Sequence, residues 1–327
     1  MEEQIRLFEI LKANIPEHYR LADMIEELLS VSANAAYRRI SGEKPLTFPE
    51  LVKICRHFNL SVDKLINQSS EQGALFRYAT IDINNMGGYR QYMKGILEFL
   101  TRLKSAPAKE LLFTAVDVPF YHFLKFPELT FFKLYCWDDT VNRTRITYEE
   151  FREKLDGEPL VKLYEQITNI YAAIPAKEVW TNQTIDTIIR LLDYYYETGA
   201  FAGKGTVFAL LEQLSQLMDN IRHDAENGYK GEKQTPYALY LSSVDLSNNF
   251  MLARMGDRLA CNIKLYTINS ITTENQSLCA ETEKWINDLI SKATLISGTS
   301  GKERFRFFQT SKNKIGELVN RIEMEAK

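Results

Sequence analysis

The sequence predicts a mainly α chain in two parts: a small N-terminal helical bundle, then a larger helical body of α+β character holding a few antiparallel strands. Three observations carry this reading. Apolar residues recur every three or four positions through residues 4–66, and again through most of 89–103, 147–225 and 277–325, the period of one helical face. Short apolar runs of strand length stand at Lys109–Val118 and, in series, at Tyr237–Val244, Asn249–Met255 and Leu259–Thr267. Between the parts lies Asn67-Gln68-Ser69-Ser70-Glu71-Gln72-Gly73, polar, small and without period. The expected organisation is therefore a first domain at 1–70, a linker at 71–76 and a body at 77–327.

A chain of 327 residues has room for two or three domains, and 45% hydrophobic with 25% charged residues is the balance of an ordinary soluble protein. A net charge of -3 gives no global signal for nucleic acid. The basic footprint is local: Arg38, Arg39, Lys44, Lys53 and Arg56 outnumber Glu43 and Glu50 between Ser32 and His57. Cys55, Cys136, Cys261 and Cys279 lie far apart among apolar neighbours, the pattern of reduced, buried thiols. The acidic N-terminus lacks the apolar core of a signal peptide, and no run reaches membrane-spanning length, so a cytoplasmic protein without a membrane partner is expected.

The first element is a helix over residues 4–15, with Ile5, Phe8 and Leu11, or Leu7 and Ile10, facing inward. Leu21, Met24, Ile25, Leu28 and Leu29 mark the next helix, which breaks at Ser30-Val31-Ser32. Ser32 is a good N-cap for a helix over Ala33–Ile40, and Gly42 follows as its stop. Thr47 and Glu50 form a capping-box pair that opens a helix running to Phe58, whose buried face is Leu51, Ile54, Cys55 and Phe58. Asn59 closes it, and Ser61 caps a last turn with Val62, Leu65 and Ile66.

Two short helices joined by a three-residue turn are the helix-turn-helix arrangement, whose second helix enters the DNA major groove. From Leu21 to Leu65 the chain resembles the Xre/phage-repressor helix-turn-helix family. The S-V-S turn, the A-A-Y-R-R-I helix, the S-G-E-K loop and the closing S-x-D-x-L turn carry the resemblance. That family usually has Gly where this chain has Ser30. The resemblance implies a lambda-repressor-like bundle bound to double-stranded DNA. On physical grounds the contacts fall on Ser32, Asn34, Ala35, Tyr37, Arg38, Arg39 and Lys44. Asn pairs bidentately with adenine and Arg with guanine. Tyr and Lys suit phosphate or thymine-methyl contacts, and the N–H groups behind Ser32 suit a phosphate.

In the body, Tyr89–Leu103 is a helix, and the run from Lys109 ends at Asp117 and Pro119. Pro119–Trp137 is dense in aromatics, the composition of a core wall and, as the alternative, of a ligand pocket. Helices are expected at Tyr148–Leu155, Leu160–Ala173, Thr184–Thr198, Thr206–Ala225, Ser277–Ala293 and Lys302–Glu325. The last of these turns Phe305, Phe308, Ile315, Leu318 and Ile322 inward. Gly256-Asp257 is the turn signal between two strands.

Several motifs fail as catalytic or cofactor sites. Gly199-Ala-Phe-Ala-Gly203-Lys204 has the wrong spacing, and no strand precedes it as a phosphate-binding loop requires, so it reads as a helix–helix turn. His18, His57, His122 and His223 show no metal spacing. The strand–helix order at 109–137 and 249–293 resembles a phospholipase D-like sensor module, but His122-Phe-Leu-Lys125 lacks that family's His/Lys spacing, so the resemblance implies arrangement without chemistry. Ser300, Arg304 and Arg306, around the start of the last helix, form a candidate anion site. The expected function is sequence-specific transcriptional regulation by a non-enzymatic homodimer without a cofactor, its body dimerising and answering to a small-molecule or protein effector. A protein-interaction scaffold with a degenerate helix-turn-helix is the alternative, and an enzyme fused to a DNA-binding head the third reading.

Overall fold

A computed structural model describes residues 2–15, 20–58, 60, 62, 73–78, 81, 86–143, 145–155, 159–265 and 268–325. The chain divides into two compact units, Met1–Leu75 and Phe76–Lys327. Residues 71 and 72 of the expected linker, Asn59 as the expected helix stop, and the turn expected at 61–66 apart from Val62 fall outside the described residues.

The first unit is helical: α1 (Glu2–Asn14), α2 (Leu21–Leu29), α3 (Ala33–Ile40) and α4 (Phe48–His57). Leu7, Phe8 and Leu11 of α1 meet Ile25, Leu29, Ala36 and Ile54 in one core, while Ile5 stays 40% exposed. The α2–α3 turn depends on Ser30, whose φ of 54° and ψ of 48° place it in the left-handed region. There the N–H of Ser30 reaches the carbonyl of Glu27, and that of Val31 reaches Glu26, closing the helix end as a glycine would. Ser32 then caps α3 by accepting from the N–H of Ala35 at 3.4 Å.

The second unit is built on a mixed sheet rather than on the few antiparallel strands expected. Its strands are β1 (Arg77–Tyr78), β2 (Lys109–Ala115), β3 (Ala176–Trp180), β4 (Tyr229–Lys230), β5 (Thr235–Leu241), β6 (Phe250–Met255), β7 (Arg258–Lys264), β8 (Ser270–Thr273) and β9 (Thr294–Leu295). The order is β1-β8-β7-β6-β2-β3-β5-β4, with β9 also on β5. β2, β3 and β5 are parallel neighbours, whereas β6, β7 and β8 form an antiparallel wing on β2. β3 is a strand that pattern reading placed among helices. The five residues Ala-Lys-Glu-Val-Trp show no alternation because both faces of this central strand are covered, as parallel strands usually are.

Helices cover both faces of the sheet. Leu111, Phe113 and Ala115 face the larger core, which takes in α5 (Met86–Ser105), α6 (Phe120–Phe123), α7 (Pro127–Asn142), α8 (Tyr148–Lys154), α9 (Leu160–Tyr171), α10 (Asp186–Glu197), α11 (Lys204–Asn227) and α13 (Gly301–Met324). Leu112 points the other way, to Leu252, Cys261 and Ile286 under α12 (Gln276–Lys292). α7 is buried from Leu129 to Asp138 without a solvent face, so the aromatic block is mostly core. In α13 Phe308, Ile315, Leu318 and Ile322 are buried as expected, but Phe305 is 65% exposed and Phe307 takes its place on the inward face. All four cysteines are free and buried.

Candidate nucleic-acid interface and a cavity in the body

α3 presents Asn34, Tyr37 and Arg38 to solvent, with Ser32 exposed at its start and Ala35 half-buried. A guanidinium and a carboxamide on one exposed face supply the two side-chain types that read guanine and adenine edges. Arg38 has only a loose partner, Glu43 at 3.6 Å, with both side chains more than half exposed, so releasing it costs little. Lys44 is exposed just beyond the helix, and its N–H donates to the carbonyl of Arg38 at 2.8 Å.

Arg39 departs from the expected contact set. It is buried, its Nε and Nη2 donate to Glu50 Oε1 at 3.1 and 2.6 Å, and its Nη1 donates to the carbonyl of Ala35 at 3.0 Å. Glu50 accepts the N–H of Thr47 with its other oxygen, so Arg39 locks α3 to the capping box of α4. Hydrogen bonding from Arg39 is also the main cause that holds the Glu50 carboxyl below its ordinary range. An adjacent pair of arginines in sequence thus divides into one outward and one structural residue.

Gln4 completes the platform. Its amide donates to the carbonyls of Arg39 (2.7 Å) and Lys44 (2.8 Å) and accepts from the N–H of Leu46 (2.9 Å). No sequence pattern flagged this residue. Replacing Arg39 with Ala is expected to loosen the first unit by about 2–4 kcal/mol by leaving Glu50 without its buried partner. Faster hydrogen exchange across α3 and α4, with the body unchanged, is the readout; unchanged exchange would show the pair to be dispensable.

The arrangement defines a helix-turn-helix unit: a short capped helix with a polar face, set on a second helix through a three-residue turn. Residues 5–85 match the family model described as the BetR domain, a helix-turn-helix-like DNA-binding domain family. No curated protein and no solved structure matches the chain.

In the body, α5 packs on α9 and stands off the antiparallel wing, leaving a cavity of about 720 Å³. Tyr89, Tyr92, Ile96 and Phe99 of α5 line one side; Met251, Asn262 and Thr272 line the sheet side; Phe120 and Tyr121 also line it. The aromatic block therefore contributes to a pocket as well as to the core. At the C-terminal end of β2, Asp117 Oδ2 accepts from Lys133 Nζ at 2.5 Å and Lys264 Nζ at 2.7 Å. Asn249 Oδ1 holds the loop by accepting the N–H groups of Val116 and Asp117. Burial opposes charge on Asp117, but the two lysines outweigh it and bring its carboxyl to about 2.

That carboxyl lies below its unfolded value of about 3.9, so Asp117 contributes stability above about pH 4 and loses it as pH falls toward 2. The loss amounts to about 2–3 kcal/mol. Urea unfolding of wild type and Asp117→Asn is expected to show a stability gap at pH 6 that closes between about pH 5 and 2; a gap independent of pH would contradict the ion-pair account.

The remaining candidates hold other posts. Arg304 is buried and donates to the carbonyls of Ile296 (3.0 Å) and Gly298 (2.8 Å), so it fastens its own loop instead of an anion. Arg306, two positions on, is exposed and Ser300 half-buried, so the three side chains do not converge. Lys204 donates to the carbonyl of Ile322 at 2.7 Å, and Gly199 ends α10 at a φ of 71°, the geometry of a helix–helix turn. His122 Nε2 bonds to the buried Glu178. No group of His, Cys, Asp or Glu among the described residues is arranged to hold a metal ion, and no helix among them is long and apolar enough to cross a membrane.

Proposed function

We propose that this chain is a sequence-specific DNA-binding transcriptional regulator, with α3 in the major groove and the fine arrangement of the Xre/phage-repressor type. The supporting observation is the outward set Asn34, Tyr37 and Arg38 on a capped helix, within the stretch that the BetR domain model matches. The near-neutral first unit offers few phosphate contacts, so binding as a homodimer to a two-fold site supplies the affinity. The body dimerises and answers to an effector, and its role is binding rather than catalysis. The place of action is the cytoplasm.

Selection of genomic fragments by the full chain at two salt concentrations tests this reading. One family of fragments is expected to enrich, with affinity falling steeply as salt rises. If no sequence enriches, the scaffold reading takes over. One observation favours that alternative: Phe48, at the start of α4, is 76% exposed and Tyr37 is 56% exposed, apolar surface suited to a protein partner.

A further inference from the structure

We propose that the cavity between α5 and the antiparallel wing is a binding site for a small monoanionic organic acid with an aromatic or apolar body and an N–H or hydroxyl beside its acid group. The charge around Asp117 in its lining is unbalanced: Lys133 and Lys264 share the single carboxylate of Asp117, leaving one net positive charge. Both ammonium groups converge on one oxygen, Oδ2. The other, Oδ1, is buried and has no hydrogen-bond partner among the described residues. A buried carboxylate oxygen without a donor is costly, and a ligand N–H or hydroxyl there would satisfy it. An acid group on the same ligand would neutralise the surplus ammonium charge.

Two arginines also line the cavity, Arg77 paired with Glu274 and Arg102 exposed, but the rest of its lining favours an organic body over a small inorganic anion. Tyr92, Ile96, Phe99 and Tyr121 present rings and an aliphatic chain, and at about 720 Å³ the space exceeds what phosphate or acetate fills. The Tyr92 hydroxyl is committed to the carbonyl of Ile268, so that ring offers its face. Gly95 marks where α5 was kept thin: a Cβ there would meet nothing within 4 Å, although glycine inside a helix costs about 1 kcal/mol relative to alanine. As the effector site of a regulator, the cavity rests on the function proposed above; as a binding site it stands without DNA.

The test uses the full chain and two fluorescent probes that differ in charge. 1-Anilinonaphthalene-8-sulfonate carries an anion beside an N–H on an aromatic body, and N-phenyl-1-naphthylamine is the same body without the anion. Wild type is expected to bind the sulfonate saturably and more tightly than the neutral probe. Lys264→Met, which removes the half-buried cation and keeps its length, is expected to weaken the sulfonate by about tenfold or more and the neutral probe by less than about twofold. Gly95→Trp, which adds bulk at an open helix position, is expected to abolish both while far-UV circular dichroism stays unchanged and urea unfolding stays cooperative. Equal affinity for the two probes, an unaltered sulfonate titration in Lys264→Met, or no binding to wild type each overturns the proposal. The fragment selection is run separately, so a failed operator search leaves the ligand result standing, and the reverse holds as well.

Discussion

Alanine at both Asn34 and Arg38 is expected to remove fragment selectivity while leaving the protein folded. The two side chains are exposed on α3, and neither holds a position in the core of the first unit. A good bidentate base contact is worth about 1–3 kcal/mol of discrimination, so the pair accounts for roughly 2–6 kcal/mol, a thirtyfold loss at the lower bound. Non-specific binding should change little, because it rests on phosphate contacts and the double variant removes one positive charge. Lys44→Ala is the complementary case: affinity drops evenly across sequences, and the salt slope falls by about one. Arg39→Ala should also weaken binding, but through loosened α3 and α4, and stabilising the unit with osmolyte should restore it. If the double variant enriches the same fragments as wild type, α3 is not the reading helix, and the exposed surface around Phe48 becomes the better place to look.

The first unit was legible because its signals are local. Ser32 and Thr47 cap within their own turns, and the apolar period of Leu21–Leu29 needs no knowledge of the partner helix. The division of labour between Arg38 and Arg39 was not legible. Helical phase puts Arg39 beside Ala35 and Ala36 at the edge of the buried face, and only the position of Glu50, eleven residues on, turns it inward. In the body most helices and four strands could be read from period and punctuation, but their assembly could not. Parallel pairing of β2, β3 and β5 joins segments more than sixty residues apart, with no turn between them to announce it. The cavity was hidden for the same reason: Asp117, Lys133 and Lys264 sit on a loop, a helix and a strand, and Asp117 read alone is a strand terminator. Fully buried charge is also what hid β3. Lys177 and Glu178 argue against a central strand until Glu178 is seen with its donors.

Those donors make Glu178 the residue whose loss should cost the body most. It is fully buried on the strand between β2 and β5, and accepts from Tyr171 Oη at 2.7 Å and Trp180 Nε1 at 2.8 Å, with His122 Nε2 at 2.9 Å. Replacement by Leu leaves these polar groups facing a hydrocarbon chain, so a loss of about 3–5 kcal/mol is expected in urea unfolding followed by tryptophan emission. Glu178→Gln, which keeps one acceptor oxygen, should lose less. The effect should also depend on pH. Lys230 is buried, and its ammonium lies 3.2 Å from the centre of the Tyr171 ring; burial brings its pKa down to about 7, against the attraction of Glu178. Because that value is below the unfolded one of about 10.4, charging Lys230 in the folded body is unfavourable, and stability gains as pH rises from about 7 to 10. Below pH 7 the charged Lys230 relies on Glu178, so Glu178→Leu should destabilise more at pH 6 than at pH 9. Equal losses at the two pH values would mean that Glu178 serves only its neutral donors and that Lys230 finds its stabilisation in the Tyr171 ring and Asp224.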